Sequence, residues 1–304
     1  MSKIKIFVNY DMDEWPLISS DVFQPIIGGA SGGQFKPGFI GDDTGDNISD
    51  LNNIYKELTS NYWIHKNYLP QAREEYVGIC DFRRFLDFSD SKHHQDLARS
   101  YPFTFINYKY FSTFLFNQLG EDDIMSAVKD YDVIGPYQYD LGARNNRVHF
   151  DYHYNAQEMD RALEVLGRLY PEYTRYADEF FSDTKGYNFQ CVVMKRELLQ
   201  DYFDWSFRIL EELSREGEWG SQSVIGYYNI PVSIMERFYN IWLRYQMDKN
   251  GITVRELPGY RLSFFDFSLT EKLRYIKSLI KYKINPNTPI DDLLICSSDY
   301  RKIL

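Results

Sequence analysis

The alternation of short apolar runs with longer amphipathic ones constrains this chain most. In residues 3–10, Ile4, Ile6 and Val8 recur at every second position, the period of a strand. Residues 47–68 place Leu51, Ile54, Leu58, Tyr62 and Ile64 near helical spacing, and Pro70 follows. Residues 37–43, 75–82, 132–137, 188–194 and 252–257 read as further strands. Residues 122–129, 156–169, 197–215 and 232–247 read as helices. Residues 11–36, with Pro25, Gly28, Gly29, Gly32 and Gly33, read as loop. Strands that alternate with helices predict an α/β domain whose central sheet is mostly parallel and flanked by helices. Composition changes near Leu269, where a basic amphipathic pattern begins. Two parts are therefore expected: an α/β domain over 1–260 and a C-terminal helical extension over 261–304.

Composition excludes several classes. The formal net charge of −10 repels nucleic acid, so no nucleic-acid partner is expected. Cys80, Cys191 and Cys296 are odd in number and widely spaced, which fits neither a disulfide framework nor a zinc ribbon. No run approaches 18 apolar residues, and the opening MSKIKIFVNY enters a strand pattern without a signal segment. A cytoplasmic protein is expected. Residues 269–284 carry Leu273, Ile276 and Ile280 on one stripe, with Lys272, Arg274, Lys277, Lys281 and Lys283 around it. Such a helix either packs on the protein's own core or makes a peripheral contact at the inner face of the membrane.

Four segments carry candidate chemistry. In GDDTGDNIS, Asp42, Asp43 and Asp46 follow a strand end, where open α/β sheets bind ligands. They either contact a nucleoside or form a turn, with Asn47 or Ser49 capping the next helix. In YVGICDFRRF an apolar strand runs into Asp81, followed by Arg83 and Arg84. The two arginines suit bidentate contacts to a diphosphate, or else pair with Asp87 or Asp90. In HFDYH, His149, Asp151 and His153 would share one face of a strand as a metal triad, hold acceptor hydroxyls, or stand solvated in a loop. The pair Asp11 and Asp13 reads as a loop rather than a metal clamp, and GGASGG lacks the Lys-Ser/Thr of a P-loop.

Residues 38–67 (GFIGDDTGDNISDLNNIYKELTSNYWIHKN), together with YVGICDFRRF, resemble a bacterial capsular and exopolysaccharide glycosyltransferase family. That family, long catalogued as a domain of unknown function, includes galactofuranosyltransferases. GYNFQCVVMKRELLQDYFDWSFRIL and SIMERFYNIWL resemble its later segments more loosely. Two positions depart from it: Asp81 stands where the family has His, and Lys56 where it has Cys.

The resemblance implies a nucleotide-diphospho-sugar transferase fold of the GT-A type and a UDP-sugar donor. The implied activity is transfer of a hexose, best read as galactofuranose, to a growing surface polysaccharide or lipid-linked oligosaccharide, with inversion. Alternatives are UDP-glucose or UDP-galactopyranose as donor, or a non-catalytic carbohydrate-binding subunit. Glu236 and Asp81 are the candidate catalytic carboxylates. Asn9, Tyr10, Asp42, Asp43, Asp46, Asn47, Glu57, Thr59, Trp63, Arg83, Arg84 and Asn188 are candidate donor contacts. His153 and Arg237 are candidate acceptor contacts. No metal ligands are assigned, although a divalent cation, Mn or Mg, is compatible with a diphosphate donor.

Overall fold

In a computed structural model, residues 2–33, 35–89, 103–108, 111–112, 116, 119–187, 191–217, 219 and 229–263 are described. The basic segment 269–284 and Asn188 lie outside these residues.

The alternation in the first strand is real. β1 (Ile4–Tyr10) turns Ile4, Ile6, Val8 and Tyr10 to one face of the sheet and Phe7 to the other. β2 (Phe23–Ile27) pairs with it in parallel, although the sequence suggested a loop there. Pro25 is tolerated because β3 (Ile40–Gly41) reaches only Ile26 and Ile27, so no ladder bond to β3 is lost at Pro25. β4 (Tyr76–Asp81) joins the other side of β1 in parallel. β10 (Cys191–Lys195) then runs antiparallel between β4 and β7 (Val133–Pro136), and β11 (Val254–Leu257) closes the far edge parallel to β7. The seven-stranded order is β11-β7-β10-β4-β1-β2-β3, mostly parallel as expected. Gly78 sits at its centre, where an added Cβ would stand 2.8 Å from Val193 and 2.9 Å from the Val192 carbonyl.

One face of the sheet is covered by helices. The expected helix over 47–68 is broken into α1 (Asn52–Tyr55), α2 (Glu57–Trp63) and a π-helical turn, Ile64–Tyr68. The break falls at Lys56, with φ 47° and ψ −129°. Its carbonyl accepts from Thr59 N, Thr59 Oγ1 and Asn52 Nδ2, so the interrupted backbone is still satisfied. α3 (Glu121–Val128) lies on the opposite face. α4 (Asn146–His153), α5 (Ala156–Leu169), α6 (Thr174–Ser182), α7 (Arg196–Glu216) and α8 (Ile230–Asn250) join α2 on the first face. Phe7, Val77, Ile79, Val192 and Met194 meet Leu199, Phe203, Ile234, Phe238 and Trp242 there. A small sheet of β5 (Arg84–Leu86), β12 (Gly259–Ser263) and β6 (Phe103–Asn107) backs the second face. β12 runs across the expected boundary at residue 260. The short strands β8 (Tyr139–Asp140) and β9 (Lys185–Gly186) form a separate pair. Among the described residues no helix is long and apolar enough to cross a membrane.

Candidate functional site

From β1 the chain moves to β2 and β3 on one side and returns through β4 on the other. The strand order therefore reverses between β1 and β4, and ligands of open α/β sheets sit outside the carboxyl ends of strands at that place. Asn9 and Asp81 are register partners there. Asn9 Nδ2 donates to Asn61 Oδ1 on α2 at 3.1 Å. Asn9 Oδ1 and Ser60 Oγ are buried and have no hydrogen-bond partner among the described residues.

Asp81 is the centre of a charge cluster. Its Oδ1 accepts the Arg83 backbone N–H at 2.7 Å and lies 3.5 Å from Arg83 Nε, while Oδ2 lies 3.4 Å from Arg84 Nη1. Burial opposes its ionisation, yet Arg83 and Arg84 outweigh burial and hold the carboxyl below the usual carboxylate range. Asp11, just past β1, is pushed the other way by loss of solvation and by the Asp81 charge, with Arg83 opposing. Trp15 Nε1 donates to Asp11 Oδ1 at 3.2 Å. The Trp15 ring stacks on Phe82, Phe82 stacks on Tyr10, and the Arg83 guanidinium lies 4.9 Å from the Phe82 centroid. Asp11, Ser60 and Asn61 were missed from sequence. Asp11 carried a signal, its place directly after the first strand.

Several expected donor contacts are hydrogen-bonded within the protein, and of these Tyr10, Asp42 and Thr59 are buried. Tyr10 points to the opposite face from Asn9, as the two-residue period of a strand requires. Its hydroxyl donates to Pro16 O at 3.0 Å and accepts from Ile18 N at 2.9 Å. Asp42 is fully buried and accepts from Gly29 N and Ala30 N at 3.0 Å each, and from Ser49 Oγ at 2.5 Å. Asn47 closes its own turn, donating to Asp43 O and Gly45 O and accepting from Ser49 N. Thr59 is fully buried against Asn52 and Lys56. Trp63 packs on the core and donates to Thr44 Oγ1 at 2.9 Å. Asp43 and Asp46 stay exposed, Asp46 accepting from Tyr62 at 3.2 Å, and Glu57 is half-buried at the start of α2. Arg83 and Arg84 contact Asp81, while Asp87 Oδ1 accepts from Ser89 and Oδ2 from Tyr260; Asp90 lies outside the described residues.

A second polar cluster lies on α4 and α8. HFDYH is helical, not extended, because Asn145 caps α4 by accepting from Val148 N at 2.8 Å. Asp151 therefore turns away from the histidines and pairs with Arg147 at 2.7 Å, and no triad forms. His149 and His153 lie one turn apart with their rings tilted at 52° and centroids 4.7 Å apart. Arg237, 6% exposed, donates to Glu236 Oε2 at 2.9 Å, to Ser233 O at 3.2 Å and to His149 Nδ1 at 3.3 Å. The rings of Phe150 and Tyr154 flank its guanidinium. One turn on, Asn240 brackets the backbone of Tyr187, shortly before β10 enters at the same sheet edge that holds Asp81. Among the described residues no three His, Cys, Asp or Glu side chains converge as metal ligands, and both Asp81 oxygens are engaged by the arginines.

The structure of WbbM, a bifunctional glycosyltransferase in its apo form, superposes with a TM-score of 0.72 at 26% identity over 86% of this chain and 45% of that chain. This chain thus spans about half the length of that protein. The α/β architecture expected from sequence is the one the two share. No curated protein matches the sequence. The model of the family described as Domain of unknown function (DUF4422) matches residues 5–248, so the chain belongs to that family.

Proposed function

We propose that the chain transfers a hexose from a nucleoside-diphosphate donor, best read as UDP-galactofuranose, to a bacterial surface polysaccharide or lipid-linked oligosaccharide. The observation that carries this reading is the polar corner between β1 and β4, in a fold shared with a glycosyltransferase. Asn9, half-buried at this strand end, supplies hydrogen-bonding capacity for the nucleoside. Arg83 and Arg84 bring two cations to the strand end, and their contacts to Asp81 are long enough to yield to a diphosphate. In the transfer, an acceptor oxygen bonds to the anomeric carbon while the bond from that carbon to the diphosphate oxygen breaks. The electron pair leaves with the diphosphate, opposite the arginines, and the acceptor proton passes to a carboxylate, for which Glu236 is the candidate. Asp81 acts by holding the arginine pair in place.

The test is calorimetric titration of UDP into wild type, Arg83→Ala and Arg84→Ala. At least one folded variant should bind UDP about 10- to 100-fold more weakly, the loss of a charge-assisted contact worth about 1.5–3 kcal/mol. Two folded variants with wild-type affinity would remove the arginines from the site. No UDP binding by wild type would remove the donor reading, and competition among UDP-galactofuranose, UDP-galactopyranose and UDP-glucose ranks the sugars.

A further inference from the structure

We propose that the outward face of α4 is a subsite for an uncharged sugar, with His149 and His153 bonding its hydroxyls, Tyr152 covering its apolar face, and Glu236 accepting from one hydroxyl. It rests on the glycosyl-transfer reading and names the acceptor side of it.

Residues 149, 152 and 153 fall three and four apart and share one side of the helix. Tyr152 is 73% exposed, the most exposed of the large hydrophobic side chains described, and its ring stands edge-on to His153 at 5.1 Å. A ring beside hydrogen-bonding groups matches a sugar, whose C–H face is apolar and whose edge is hydroxylated. The polarity of His149 is fixed by Arg237. A guanidinium only donates, so His149 Nδ1 must accept and the ring proton resides on Nε2. Burial, then Arg237 and His153, push His149 down to about 3, so it is neutral in ordinary buffers. His153 is lowered by burial and by Arg237. The charge of Arg237 is matched by Glu236 on the same guanidinium. The cluster is therefore electrically balanced, which suits a neutral glycan better than a phosphate. It offers Nε2–H of His149 as donor and the Glu236 carboxylate as acceptor, both positioned by Arg237.

The test uses full-length protein with ¹⁵N-labelled histidine, titrated with methyl β-D-galactopyranoside and methyl β-D-glucopyranoside. At least one glycoside should shift the His149 resonance with millimolar affinity, and His149 should show the Nε2–H tautomer. Tyr152→Ala, a surface change that spares the fold, should weaken binding about tenfold, as should His149→Phe. His149→Gln, whose amide still donates, should retain most of it. The subsite is overturned if neither glycoside shifts His149, if Tyr152→Ala and His149→Phe bind like wild type, or if inorganic pyrophosphate shifts His149 where the glycosides do not. UDP titrated separately reports on the donor reading alone: glycoside binding without UDP binding would end that reading and leave the sugar subsite standing.

Discussion

Lys56→Gly should stabilise the protein. Lys56 is the one non-glycine residue with positive φ among those described, and at φ 47°, ψ −129° its Cβ is strained against its own backbone. Such a conformation costs about 1–3 kcal/mol for a residue with a Cβ. Glycine removes that strain but adds about 0.5–1 kcal/mol of backbone freedom to the unfolded chain. The side chain is exposed, so little packing is lost. The carbonyl that holds Asn52 and Thr59 belongs to the backbone and survives the change. The net expectation is a gain of about 0.5–2 kcal/mol, read as a higher urea midpoint at unchanged m-value. Lys56→Ala keeps the Cβ and should change stability by less than about 0.5 kcal/mol. If glycine lowers the midpoint, or if alanine gains as much as glycine, the strain at the helix break is not what the dihedrals indicate.

Asp42→Ala removes the acceptor for two backbone N–H groups and the Ser49 hydroxyl; at about 1–3 kcal/mol for each of the two buried donors left unpaired, Ala30 N–H and the Ser49 hydroxyl, it should cost about 2–6 kcal/mol in urea unfolding. Hydrogen exchange at Gly29 and Ala30 should accelerate, and wild-type protection there would contradict this. His149 has a folded pKa below its unfolded value of about 6.5, so its contribution is fully present above pH 6.5 and lost as pH falls toward 3. Stability should decline with a slope approaching about 1.4 kcal/mol per pH unit, and His149→Phe should flatten it; an unchanged slope would mean that His149 is not held neutral.

The parts of the fold that were legible in the sequence are those whose physics is local. Ile4, Ile6 and Val8 alternate because one face of β1 is a core, and Ala156–Leu169 repeats at helical spacing because one of its sides is buried. The illegible parts depend on contacts distant in sequence. β2 hides behind Pro25, since only the shortness of β3 makes a proline harmless there. The helix break at Lys56 leaves no glycine or proline as a sign, because Asn52 and Thr59 satisfy its carbonyl from either side. HFDYH has a strand's spacing of polar residues, and the cap at Asn145 decides for helix. At the site, the strand-end placement of Asn9, Asp81, Arg83 and Arg84 followed from the apolar runs before them. Whether each carboxylate faced a ligand or its own loop did not, as the fully buried Asp42 illustrates.

That buried carboxylate also bears on where an anion can be held. A glycine-rich loop after a strand ordinarily offers its backbone N–H groups to phosphate. Here Gly29 N and Ala30 N are both spent on Asp42, and an added Cβ at Gly29 would lie 2.8 Å from Asn52. The first turn of the sheet is thus closed from within by a negative charge. On a chain with a net charge of −10, an anion at the strand ends then has to find a local excess of cation. Arg83 and Arg84 bring cations there, against the carboxylates of Asp81 and nearby Asp11, at the strand end where Asn9 is the register partner of Asp81. The same carboxylate that lets two guanidinium groups approach each other in the absence of ligand becomes a competitor once a diphosphate is present. Asp81→Asn should therefore shift the balance in two directions: weaker placement of the arginines, and less repulsion toward UDP. If the second effect dominates, UDP affinity rises in a protein that melts lower. If both affinity and melting temperature are unchanged, Asp81 does not organise the pair.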